Sequence, residues 1–173
     1  MDISDIRDSI LSLPILSGMW FRCLLCQHLS VSSSAHASKA KEVPRRVRVL
    51  IADDHPVVKK MVRSLLEEYP HIEVCGEAAD GLQAIEEAQK LKPDVVVLNV
   101  TMPIMSGFQA ARVIKKRLPQ AAIVILSANA DQGFVEEARK IGVHAYVAKS
   151  KAGEALVRAV EEAIKGEDFY LVE

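Results

Sequence analysis

The run Val95-Val96-Val97-Leu98, set between Asp94 and Asn99, constrains this chain more than any other segment. Consecutive β-branched residues without polar alternation describe a strand buried on both faces, which needs helices packed above and below it. A second run, Val47-Arg48-Val49-Leu50-Ile51-Ala52, ends at Asp53-Asp54. Around these two, helical and extended patterns alternate. Pro56 opens a helix over about 57–69, with Val58, Met61, Val62, Leu65 and Leu66 at helical spacing. Ile72 to Ala78 reads as a strand. Asp80-Gly81 starts a helix through about Leu91, with Leu82, Ile85 and Ala88 on one face.

After the valine run, a loop with Pro103 and Gly107 leads to a helix at about 107–118, and Ala121 to Ser127 is the fourth strand. A helix at about 131–141 is closed by Gly142. His144 to Ala148 is the fifth strand, followed by a helix at 152–165 closed by Gly166. Five strands alternating with five helices predict an α/β fold, a doubly wound parallel sheet. The flavodoxin-like (βα)5 arrangement, strand order 2-1-3-4-5, is the expected solution, with its site where strands 1 and 3 diverge.

Half of the 173 residues are hydrophobic and 26% are charged, enough for a real core. The net charge of −1 gives no basic stripe for nucleic acid. Cys23, Cys26 and Cys75 are too few for a disulfide framework, and Cys23-x-x-Cys26 has no second pair or His pair to complete a zinc set. A reducing cytoplasm is the expected compartment.

Residues 1–46 read as a weakly ordered N-terminal extension, 47–166 as the domain and 167–173 as a C-terminal tail. Ala35-His36-Ala37 has the form of a signal cleavage site. However, Asp2, Asp5 and Asp8 stand where positive charge belongs, and Pro14 and Arg22 interrupt the apolar stretch Ile10 to Leu25. The same interruptions argue against a membrane span.

The chemistry is expected at the carboxyl ends of the strands. Asp53 and Asp54 close strand 1, Asn99 closes strand 3 and Thr101 follows it. Ser127 closes strand 4 and Lys149 closes strand 5. Adjacent carboxylates suit a hard cation such as Mg²⁺, while a hydroxyl and an ammonium beside it neutralise a phosphoryl group.

The motifs Ile51-Ala52-Asp53-Asp54-His55-Pro56, Asp94 to Gly107, Ile125-Leu126-Ser127-Ala128 and Tyr146-Val147-Ala148-Lys149-Ser150 resemble the receiver domains of two-component response regulators, with a NarL-like flavour. The resemblance covers roughly 47–166. It implies Asp53, Asp54, Asn99 and Thr101 as a weak Mg²⁺ site, Thr101 through its backbone carbonyl. It implies Ser127 and Lys149 as phosphoryl-sensing groups, and Tyr146 as an aromatic that turns inward when Ser127 moves. Asn99 stands where such domains carry the phospho-accepting aspartate. An amide is neutral with a delocalised lone pair, so phosphorylation at residue 99 is expected to be disabled.

The expected function is therefore that of a stand-alone, non-enzymatic receiver in phosphorelay signalling, a pseudo-receiver acting by protein contacts. The partner would be a sensor histidine kinase or another signalling protein, with a homodimer as a further form and no nucleic acid or membrane contact. Gly166 to Leu171 resembles the linker that precedes a helix-turn-helix domain in NarL-like regulators, and no such domain is expected after it. Without an acceptor the switch is expected to rest in its outward-aromatic form and compete with an active receiver. The alternative is a partner that selects the shape without phosphate. The competing class is a Mg²⁺-dependent α/β phosphatase-like hydrolase, but the pair here is D-D rather than D-x-D. A flavin-binding flavodoxin would need a phosphate-cradling loop where Asp53-Asp54-His55-Pro56 stands.

Overall fold

The structure is a computed structural model that describes residues 45–129 and 131–172. The extension read over 1–46 lies outside these apart from Arg45 and Arg46, and so do the Cys23/Cys26 pair and the Ala35-His36-Ala37 motif.

One sheet organises the described residues, with strands β1 (Val47–Ala52), β2 (Ile72–Ala78), β3 (Val95–Leu98), β4 (Ala122–Ser127), β5 (Ala145–Ala148) and β6 (Phe169–Leu171). All pairings are parallel and the order is β2-β1-β3-β4-β5-β6. The expected order 2-1-3-4-5 is present and gains a sixth strand at the β5 edge. Phe169–Leu171, read from sequence as tail, pairs with Ala145–Val147. Arg158 lies over the Phe169 ring, and the Tyr170 hydroxyl donates to Val143 O at 2.7 Å, which fixes the segment.

Helices α1 (Pro56–Glu67), α2 (Gly81–Leu91), α3 (Gly107–Arg117), α4 (Gln132–Ile141) and α5 (Ala152–Lys165) cover both faces. Side-chain parity along the strands divides the core. Val49, Ile51, Val95, Val97, Val124 and Val147 pack with α1 and α5. Leu50, Val96, Leu98, Ile123, Ile125 and Tyr146 face α2, α3 and α4. β3 is buried on both faces along its whole length, as its unbroken apolar run requires.

Local signals set the helix ends. Asp80 accepts from Leu82 N and Gln83 N at the start of α2, and Ser106 with Gln109 forms a capping box on α3. Gly142 and Gly166 end α4 and α5 at φ 76° and 80°, where a side chain would be strained. β1 and β3 are adjacent, but the chain leaves them toward opposite faces, to α1 and α3. The crevice between their carboxyl ends is the switch point of the sheet.

Candidate functional site

β1 ends at Ala52, so Asp53 and Asp54 emerge at the lip of the sheet just before Pro56 starts α1. β3 ends at Leu98, and Asn99 is held beside them by its backbone N–H, which donates to Ala52 O at 2.8 Å. The loop after Asn99 returns tightly, with Gly107 N donating to Val100 O at 2.9 Å. Gly107 sits so close to the Asn99 carbonyl that a Cβ there would collide with backbone. Ile104 in this loop has φ 64° and is 80% exposed, an uncommon conformation for a β-branched residue.

Three donors converge on the two carboxylates. Lys149 Nζ, from the turn that follows β5, lies 2.6 Å from Asp53 Oδ2. The contact is an ion pair without hydrogen-bond alignment, and among the described residues that buried oxygen takes no aligned hydrogen bond from any other group. His55 donates its backbone N–H to Asp53 Oδ1 at 2.9 Å, and its ring Nδ1 lies 2.9 Å from Asp54 Oδ1. The side-chain amide of Asn99 donates to Asp54 Oδ1 at 3.0 Å and to Thr101 O at 2.7 Å. Burial opposes the charge of Asp54. A backbone hydrogen bond, the Asn99 amide and the neighbouring His55 outweigh it and hold the Asp54 carboxyl below its usual range.

Asp53, Asp54 and His55 place one ligand atom each within 4.8 Å of one another, an acidic cluster able to meet a metal ion. The four-oxygen set implied by the sequence, Asp53, Asp54, Asn99 and Thr101, does not fit Mg²⁺ as arranged. Asn99 turns its nitrogen, not its oxygen, toward Asp54 and Thr101, and Mg²⁺ takes oxygen ligands.

Ser127 and Tyr146 form a second group. Ser127 is buried at the end of β4, and its hydroxyl accepts from Asn129 N at 3.1 Å. Tyr146 is fully buried on the α4 side of the sheet, and its hydroxyl donates to Asn129 O at 2.6 Å. Burial pushes the Tyr146 hydroxyl pKa up, while a hydrogen bond with Ser127 pulls the other way. The aromatic is thus inward, not in the outward form expected of a resting switch. Every site residue expected from the sequence lies in one of these two groups.

Two participants were not singled out from the sequence. His55 joins the acidic cluster, and its position directly after Asp53-Asp54 was the available signal. Asn129 links Ser127 to Tyr146 through its backbone, so its side chain carried no signal.

The sequence matches the response regulator receiver domain over residues 49–161. It is 45% identical over 89 residues to the protein-glutamate methylesterase/protein-glutamine glutaminase of Pyrococcus horikoshii, covering 51% of this chain and 24% of that protein. It is 35% identical over 124 residues to the response regulator protein VraR of Staphylococcus aureus, covering 72% of this chain and 59% of VraR. The chain therefore spans between about a quarter and three fifths of the length of these relatives. In structure it is similar to the signal receiver domain of NarL from Mycobacterium tuberculosis, with TM-score 0.68, 31% identity, and coverage of 72% of this chain and all of that one.

Proposed function

The chain belongs to the response regulator receiver domain family, and from that premise we propose that it signals through protein contacts without phosphorylation at residue 99. One observation carries this reading. The position that faces the acidic pair holds an amide whose nitrogen already donates twice, to Asp54 and Thr101. In a phosphorelay the acceptor carboxylate attacks phosphorus as the P–N bond to a histidine breaks. Asn99 offers no negative charge, its nitrogen lone pair is delocalised, and its neutral amide oxygen is a far weaker nucleophile than a carboxylate.

Under this reading Lys149 neutralises Asp53, and Ser127 with Tyr146 forms the two-state element. The inward Tyr146, tied to Asn129 O, supports recognition of this shape over a locked resting form. The contact face is formed by α4, α5 and β6, which covers the β5 edge, and its occupant is a sensor histidine kinase, another signalling protein or a second copy of the chain. The role is signalling rather than turnover, since the pair Asp53-Asp54 lacks the spacing of phosphatase nucleophiles. Its compartment is the cytoplasm. Among the described residues no helix is long and apolar enough to cross a membrane.

The test is self-association by sedimentation, for wild type and for Asn99→Asp with and without acetyl phosphate. Wild type should associate as strongly as treated Asn99→Asp. Association confined to the treated variant would contradict phosphate-independent recognition.

A further inference from the structure

We propose that the Asn99 amide does the bridging work of a divalent cation in this pocket, so that the site is held together without metal. This rests on the reading of residue 99 as the former acceptor position and adds a role for the residue that replaced it.

A cation in an acidic pocket draws oxygens from different segments onto one centre. Here the segments are the end of β1, carrying Asp54, and the loop after β3, carrying Thr101. Asn99 Nδ2 sits between them, 3.0 Å from Asp54 Oδ1 and 2.7 Å from Thr101 O. An amide nitrogen has two N–H groups, and each finds one of these acceptors. The orientation is dictated by its partners. Turning the amide over would set its oxygen against a carboxylate and a carbonyl, with no proton between any of them.

The rest of the pocket is closed in the same way. Asp53 Oδ2 faces Lys149 Nζ at 2.6 Å, and Asp53 Oδ1 accepts from His55 N at 2.9 Å. Asp54 Oδ1 also faces His55 Nδ1 at 2.9 Å. Four oxygens that a cation would recruit thus already face nitrogen. Entry of Mg²⁺ would require breaking both hydrogen bonds of the Asn99 amide and rotating it, against a strong preference of the ion for its own water. An aspartate at residue 99 would reverse the balance: a third carboxylate beside Asp53 and Asp54 repels both and calls for a cation.

The test is thermal melting of the full chain in EDTA and in about 10 mM MgCl2, where an ion that binds the native state raises the melting temperature by mass action. Wild type should melt at the same temperature in both. Asn99→Asp should melt lower in EDTA and recover several degrees in Mg²⁺. Asn99→Ala should melt lower in both. A Mg²⁺-induced rise in wild type equal to that of Asn99→Asp would overturn the proposal, as would Asn99→Ala matching wild type in EDTA. Should the variants fail to fold, calorimetry on wild type decides alone. Absence of saturable Mg²⁺ binding supports the bridge, and saturable binding overturns it. Phosphoryl uptake reports separately on the reading beneath, so failure of one is distinguishable from failure of the other.

Discussion

Asn99 and Asp54 are joined by a hydrogen bond of 3.0 Å from amide nitrogen to carboxylate oxygen. The bond ties the ends of two neighbouring parallel strands at the point where the chain leaves the sheet in opposite directions. Under the proposed function, it sets a hydrogen-bond donor where a phosphate acceptor would stand.

The first prediction concerns Lys149. Among the described residues its ammonium is the sole charge partner of Asp53 Oδ2, and the Asp53 side chain is only 3% exposed. Removing one member of a buried pair strands the other, at about 3–5 kcal/mol. Lys149→Met should lower the urea midpoint accordingly, and Asp53→Asn in the same background should recover part of the loss. A Lys149→Met midpoint equal to wild type would contradict the ion pair.

Tyr146→Phe keeps the buried ring and removes only the hydroxyl that reaches Asn129 O. A net loss of about 1 kcal/mol is expected, the ordinary worth of one hydrogen bond with a backbone acceptor left behind. Because the ring stays inward, self-association should persist in this variant. Its loss alongside retained stability would show that the hydroxyl, not the ring, is read by the partner.

A pH effect is expected from His144. Its Nδ1 accepts from Ile123 N at 3.0 Å, so the ring is neutral in the fold. Burial lowers its pKa from 6.5, and nearby Lys115 lowers it further against a smaller opposing pull from Asp168. The unfolded chain therefore takes up the proton first as pH falls. The stability from this group is complete above about 6.5 and drains away as pH drops through the lower folded value. Denaturation midpoints between pH 7.5 and 5, an interval of about two and a half units spanning the ordinary His pKa, should fall more steeply in wild type than in His144→Gln. Parallel curves would remove His144 from the account.

The fold was legible because its strongest signals are local. The unbroken valine run of β3, the glycines that close α4 and α5, and Pro56 at the start of α1 each have one reading. β6 was not legible, since Phe169-Tyr170-Leu171 is too short to show a period and owes its place to contacts with β5, α4 and α5. The site was legible as a set of strand ends. What the sequence could not carry was direction: that Asn99 presents nitrogen to Asp54, and that Tyr146 points inward. Both depend on partners brought together from distant segments.

The central claim is that the chain keeps a receiver's site while lacking its acceptor. It is tested most directly by intact mass after incubation with acetyl phosphate and Mg²⁺, for wild type and Asn99→Asp side by side. Wild type should keep its mass. Asn99→Asp should gain one phosphoryl group that hydroxylamine removes. A hydroxylamine-labile phosphoryl group on wild type, or an unmodified Asn99→Asp that is folded, would contradict it.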